Sequence, residues 1–217
     1  MTFSILVVLK NTMHDISSIL LAPTIAVLLV FVAFVAFELG SILVEILTER
    51  RRAKFNVEEL LKTFQDKETG DITNNINNSQ LFKRQKAALT RIIECSDLSP
   101  VPRQALARKL LANEELYYTK ITNRTDLIAR LGPMLGLMAT LIPLGPGLIA
   151  LGQGDTRTLA DSLLTAFDAT VTGLAAAGVA YAISRVRKRW YEGYLSSLEA
   201  LMEGLLEVFT DEQRVKE

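Results

Sequence analysis

Asp161, Thr165, Asp168 and Thr172 recur at spacings of four, three and four residues. On a helix this places two carboxylates and two hydroxyls along one face. Such a stripe offers hard oxygen ligands and protonatable groups to a small cation. Its setting makes it informative, because residues 162–184 carry no Asp, Glu, Lys or Arg other than Asp168. A charged side chain near the centre of a bilayer costs on the order of 3 kcal/mol, so Asp168 is expected to face a bundle interior or a wet path. The alternative for Asp168 is structural, a hydrogen bond to a neighbouring Thr or a polar contact between protomers. Asp161 lies nearer the end of the run and also reads as an exposed acid at a helix start.

Thr170 lies on another face, with Ala166, Gly173 and Ala177. Thr140 follows Gly132 and Gly136 at steps of four. Small residues four apart let helix backbones approach closely. Gly132, Gly136, Gly173 and Ala177 are therefore expected to form a tight seam, with Thr140 and Thr170 near it or near an oligomer axis. Pro143 and Pro146 are expected to kink the helix or loosen its outer part, either as a packing bend or as a wider vestibule. Asp126 and Arg130, four apart, read as a surface pair at a membrane interface. Glu38 and Glu45 read as neutral ends of the first apolar run.

These residues need apolar helices to hold them, and the chain supplies three. Residues 16–37 and 131–154 contain no charged residue, and 162–184 contain one. Each run is long enough to cross a hydrocarbon core of roughly 30 Å. The chain has 217 residues, with 24 Lys and Arg balancing 24 Asp and Glu. Zero net charge excludes a polybasic nucleic-acid binder. One Cys and one His exclude an internal disulfide and a His-cluster metal site. No P-loop, G-x-S-x-G or H-E-x-x-H pattern occurs, so no enzyme is expected.

The expected fold is all-α and integral to the membrane, with three transmembrane helices whose long helices extend into a cytoplasmic helical domain. Arg50, Arg51, Arg52 and Lys54, then Lys120, Arg124 and Arg130, then Arg185, Arg187, Lys188 and Arg189 flank the runs. The excess of positive charge on these flanks places them in the cytoplasm. The predicted layout is an outer segment over 1–15, spans over 16–37, 131–154 and 159–184, an outer turn reaching 158, cytoplasmic helices over 38–130 and a cytoplasmic amphipathic helix over 185–217. That layout predicts a multi-pass protein of the cell membrane with its N-terminus outside and its C-terminus in the cytoplasm.

Within 38–130, Asn56 and Glu59 resemble a capping box, and Ser99-Pro100 fits a helix start. Leu81, Phe82, Ala88, Leu89, Ile92 and Ile93 recur at helical spacing. Leu106, Leu110, Leu111 and Leu116 lead toward the second span as one long helix. Residues 68–79 are so polar that a loop is predicted. Tyr191, Tyr194, Leu198, Leu201, Met202, Leu205 and Phe209 form a stripe expected to pack on the other helices or on copies of the chain. Trp190, Tyr191 and Tyr194 also suit an interfacial aromatic belt.

The run Leu131-Gly-Pro-Met-Leu-Gly-Leu-Met-Ala-Thr-Leu-Ile142 resembles the span 2 signature of the MotA/TolQ/ExbB proton-channel family, through Pro133, Leu135, Gly136, Leu137 and Thr140. Ala166-Phe-Asp-Ala-Thr-Val-Thr-Gly-Leu174 is similar to the family's span 3 pattern, with Thr170 at its threonine. Three spans resemble the TolQ/ExbB branch. The resemblance implies a homo-oligomer, pentameric in this family, whose spans 2 and 3 line a pore in the lipid bilayer. An ExbD/TolR-like single-span partner would sit in that pore as a dimer. Thr140 and Thr170 would be the pore threonines, protons the coupling ion, and mechanical work the output. No organic cofactor is implied. The TolQ/ExbB branch carries a Glu five residues before the span 3 threonine, where this chain has Thr165, and Asp168 is the candidate substitute. Sodium is the alternative ion, since Asp and Thr oxygens suit it. The competing function is a membrane scaffold that recruits a partner through its cytoplasmic helices, without ion flux.

Overall fold

The structure, a computed structural model, describes residues 2–49, 57–65, 69–79 and 81–216. Six helices follow one another: α1 (Thr2–Glu49), α2 (Val57–Gln65), α3 (Thr69–Asn78), α4 (Lys83–Glu94), α5 (Pro100–Gly152) and α6 (Thr156–Lys216). No strand occurs among the described residues. Three of the helices are long and apolar enough to cross a membrane, within Asp15–Leu47, Pro100–Gly152 and Thr156–Thr210. The chain divides into two compact units.

The first unit comprises Met1–Ile42 and Asn123–Arg185. Its helices meet over a small buried set, Val35, Ile128 and Ala180, with Phe31, Phe34 and Ala129 against it. Most of its large apolar side chains point outward, among them Phe37, Leu141, Phe167 and Val171, each more than 60% exposed. Outward apolar side chains are costly in water and cost nothing against lipid or a neighbouring membrane helix.

The turn joining the two spans is closed by local bonds. Gly154, with φ of 81°, supplies the left-handed residue that ends α5, and the Asp155 N–H donates to the Ala150 carbonyl at 2.9 Å. That is the usual way a glycine past the last helical turn satisfies orphan carbonyls. Asp155 then caps α6, accepting the Thr158 N–H at 3.1 Å and the Thr158 hydroxyl at 2.5 Å. Pro143 and Pro146 do not loosen the outer part of α5, which stays helical to Gly152.

The second unit comprises Leu43–Thr122 and Val186–Glu217. It has a conventional core, in which Phe64 of α2, Ile72 and Ile76 of α3, Leu89 and Ile92 of α4, and Leu198, Leu201 and Leu205 of α6 are at most 1% exposed. The predicted loop over 68–79 is corrected: Thr69–Asn78 is helix α3. Its only two apolar residues, Ile72 and Ile76, are one turn apart and fully buried, so tertiary packing outweighs its polar composition. Pro100 opens α5 as expected. Asn56 of the capping box lies outside the described residues.

The aromatic belt is also corrected. Tyr191 is buried and stacks on Tyr118 at 4.5 Å, and Tyr194 lies 4.6 Å from Phe82. The two tyrosines thus pack on other rings of the second unit, Tyr191 buried and Tyr194 half-buried, while Trp190 of the expected belt is half-buried. Leu110 and Leu111 pack against the core, but Leu116 is 67% exposed. Because Leu198–Leu205 is covered within the unit, the docking face of the scaffold reading is occupied.

Candidate functional site in the helical hairpin

Backbone closeness organises the site. A Cβ on Gly132 would meet the Gly173 carbonyl oxygen at 2.8 Å and the Ala177 Cβ at 3.0 Å. A Cβ on Gly173 would meet the Gly132 carbonyl oxygen at 2.7 Å, and one on Gly136 would meet the Thr170 Cα at 3.4 Å. The structure thus sets Gly132, Gly136, Gly173 and Ala177 face to face, where only small residues leave room. Thr170 sits in this seam and donates its hydroxyl to the Gly136 carbonyl at 3.4 Å. Thr140 donates to the Leu137 carbonyl of its own helix at 2.6 Å. Thr hydroxyls used in this way keep oxygen lone pairs for another group.

Asp168 lies off this seam. It is exposed on the isolated protomer, as are Thr165 and Asp161, while Thr172 is half-buried. Thr165 spends its proton on the Asp161 carbonyl at 3.0 Å. Asp168 makes no side-chain hydrogen bond or ion pair with another described residue. A structural bond from Asp168 to a neighbouring Thr of the same protomer is therefore not what this arrangement provides. Thr170 and Asp168 occupy different faces of α6, two residues and about 200° apart.

Several polar contacts were not legible as such. Ser184, 1% exposed, donates a hydrogen bond to the Asp126 carboxylate. This replaces the surface reading of Asp126 with a contact between α5 and α6. In the second unit, Arg187 pairs with Glu45 at 3.3 Å, with side chains 4% and 16% exposed. Glu45 is thus no neutral end of the first apolar run. Arg103 is buried and donates to the Ser96 carbonyl at 2.7 Å and the Leu98 carbonyl at 2.5 Å, tying the α4–α5 turn. Arg84 grips Glu114 through two bonds of 2.8 and 2.9 Å and covers the Tyr117 ring at 3.7 Å. The Glu114 carboxylate raises the pKa of Arg84, and the guanidinium stays charged. Among the described residues, no group of His, Cys, Asp and Glu is placed to hold a metal ion.

The sequence profile of the MotA/TolQ/ExbB proton channel family matches residues 74–200, more than half of the chain. This chain belongs to the MotA/TolQ/ExbB proton channel family. The match spans both motifs of the hairpin, the Gly seam and Asp168, together with α4 and much of α6. No curated protein matches the chain in sequence. Family membership and three helices fit to cross a bilayer make it a multi-pass membrane protein.

Proposed function

We propose that the chain is the pore-forming subunit of an ion-driven stator. Copies of it assemble as a homo-oligomer, a pentamer by family resemblance, with α5 and α6 around a shared pore. A single-span partner dimer of the ExbD/TolR kind occupies the pore, and proton flow past the pair is converted into mechanical work. Sodium is the alternative coupling ion. The N-terminus lies outside and the C-terminus in the cytoplasm. No catalytic chemistry and no organic cofactor are assigned to it.

One observation carries this reading. Asp168 is a mid-span carboxylate that is exposed on the protomer and has no side-chain partner among the described residues. Lipid is a poor environment for it, so a pore or a neighbouring subunit is its natural surrounding. Thr140 and Thr170 supply hydroxyl oxygens on the facing helices of the same hairpin.

The test is proton flux into vesicles containing the chain and its co-encoded single-span partner. Asp168→Asn and Thr140→Val are expected to abolish flux while the ring still forms on imaging. Wild-type flux in both variants would sink the assigned site.

A further inference from the structure

A second polar feature of the first unit lies beside the turn that joins the spans. An open groove of about 380 Å³ runs between α1, α5 and α6. Ser17 and Ser18 come from α1, Pro146 from α5, and Asp161, Ser162 and Thr165 from α6. Among the described residues, Asp161 is the only titratable or charged one in the lining.

The lining is biased toward acceptors. Ser18 donates its hydroxyl proton to the Asp15 carbonyl at 2.9 Å, and Thr165 donates to Asp161 O at 3.0 Å. Thr158, also in the lining, donates to the Asp155 carboxylate at 2.5 Å. With their protons committed, these hydroxyls have only lone pairs left to offer. The prolines add to this. Ile142 lines the groove, and its carbonyl lacks the ordinary helical donor four residues on, because Pro146 has no N–H. One acid, three hydroxyls with committed protons and a carbonyl short of its helical donor make the lining better suited to a hydrated cation than to an anion, with Ser17 and Ser162 adding further hydroxyl oxygens.

We propose that this groove is a cation-collecting antechamber, which takes up a hydrated monovalent cation beside Asp161 and delivers it along α6. Thr165 and then Asp168 follow on the same face. Asp161 and Asp168 are two helical turns, roughly 10 Å, apart. The inference rests on the membrane orientation proposed above, and its binding step is independent of any work done by the pore.

The test uses the full chain in lipid vesicles with Cys95→Ser as background. Ser162→Cys probes the groove, Ser18→Cys probes its α1 wall, and Gln153→Cys in the turn is the reference. Each is treated from outside with membrane-impermeant methanethiosulfonates, one carrying a trimethylammonium and one a sulfonate. The ratio of cationic to anionic rates in the groove is expected to exceed the Gln153→Cys ratio by about tenfold. Asp161→Asn is expected to return it to the reference value. A cationic-to-anionic ratio that sodium lowers at constant ionic strength identifies sodium as the cation, and a ratio lowered only on acidification identifies the proton, because loss of thiolate slows both reagents alike and leaves the ratio unchanged. A labelled Gln153→Cys with both groove thiols unreactive, a ratio equal to the reference, or a ratio lowered by neither cation overturns the proposal. An unreactive Gln153→Cys instead overturns the orientation, and the same ratios measured from the other face then judge the groove.

Discussion

Arg187 and Glu45 show how a single side chain can hold more than its charge suggests. With both side chains largely withdrawn from solvent, removing Arg187 takes from Glu45 the guanidinium it pairs with. Arg187→Ala is expected to cost about 3 kcal/mol, and an apolar replacement of both partners to restore most of it. Thermal unfolding in one detergent compares the variants. Asp155 behaves differently because it is exposed. The Thr158 hydroxyl and N–H hold its pKa below the ordinary 3.8. A depressed carboxylate stabilises the folded state above its unfolded pKa and loses that contribution as pH falls through the folded value. Asp155→Ala should therefore lower the unfolding temperature at pH 7, with the difference shrinking once the pH drops below about 3.8 and falls through the depressed folded value. At this scale the sequence displays Asp168, Thr170 and the glycines, because each is anomalous in its own run. It hides the Ser184–Asp126 bond, because the partners are 58 residues apart and Arg130 offers a nearer, equally plausible partner. Arg103 is hidden likewise, since nothing local distinguishes a buried Arg just after Pro102 from an exposed one.

Among the elements, the seam between α5 and α6 makes the sharpest demand on sequence. Gly132→Ala and Gly173→Ala each place a Cβ within 2.8 Å of a backbone oxygen, which only helix separation can relieve. A loss of about 1–3 kcal/mol is expected for each. Gly193→Ala is the contrasting case, since nothing lies within 4 Å of its added Cβ. It should gain up to about 1 kcal/mol from helix propensity. Unfolding midpoints of the three variants check both signs. The seam was readable from small residues four apart, and α5 from its unbroken start at Pro100. Helix α3 was not. Its two isoleucines stand among polar and Asn residues, and only the surfaces of α2 and α4 give them a reason to be helical.

For the whole molecule, each of the two units follows its own solvent. The second unit buries Leu201 and Leu205 completely, so Leu201→Ala is expected to cost about 2–5 kcal/mol in urea unfolding of the full chain. The first unit turns large apolar side chains outward and keeps a small core, so polar changes at Phe167 or Leu141 act through lipid or neighbouring copies. The division into spans was legible because charge and hydropathy are segregated along the chain. What covers the outward faces lies in other molecules, and one chain's pattern does not encode which surface meets which partner.

The close approach of Gly132 to Gly173 also bears on biogenesis. Helix α6 brings Asp161 and Asp168 into its span, a poor credential for partitioning into lipid alone. Only Gln153, Gly154 and Asp155 separate it from α5, whose own span from Leu131 to Gly152 carries no charge. The two helices are thus expected to enter the bilayer as one hairpin, the apolar member escorting the acidic one. A defect at Gly132 or Gly173 would then appear first as failed insertion and proteolysis of the newborn chain, before any change in the finished protein could be measured.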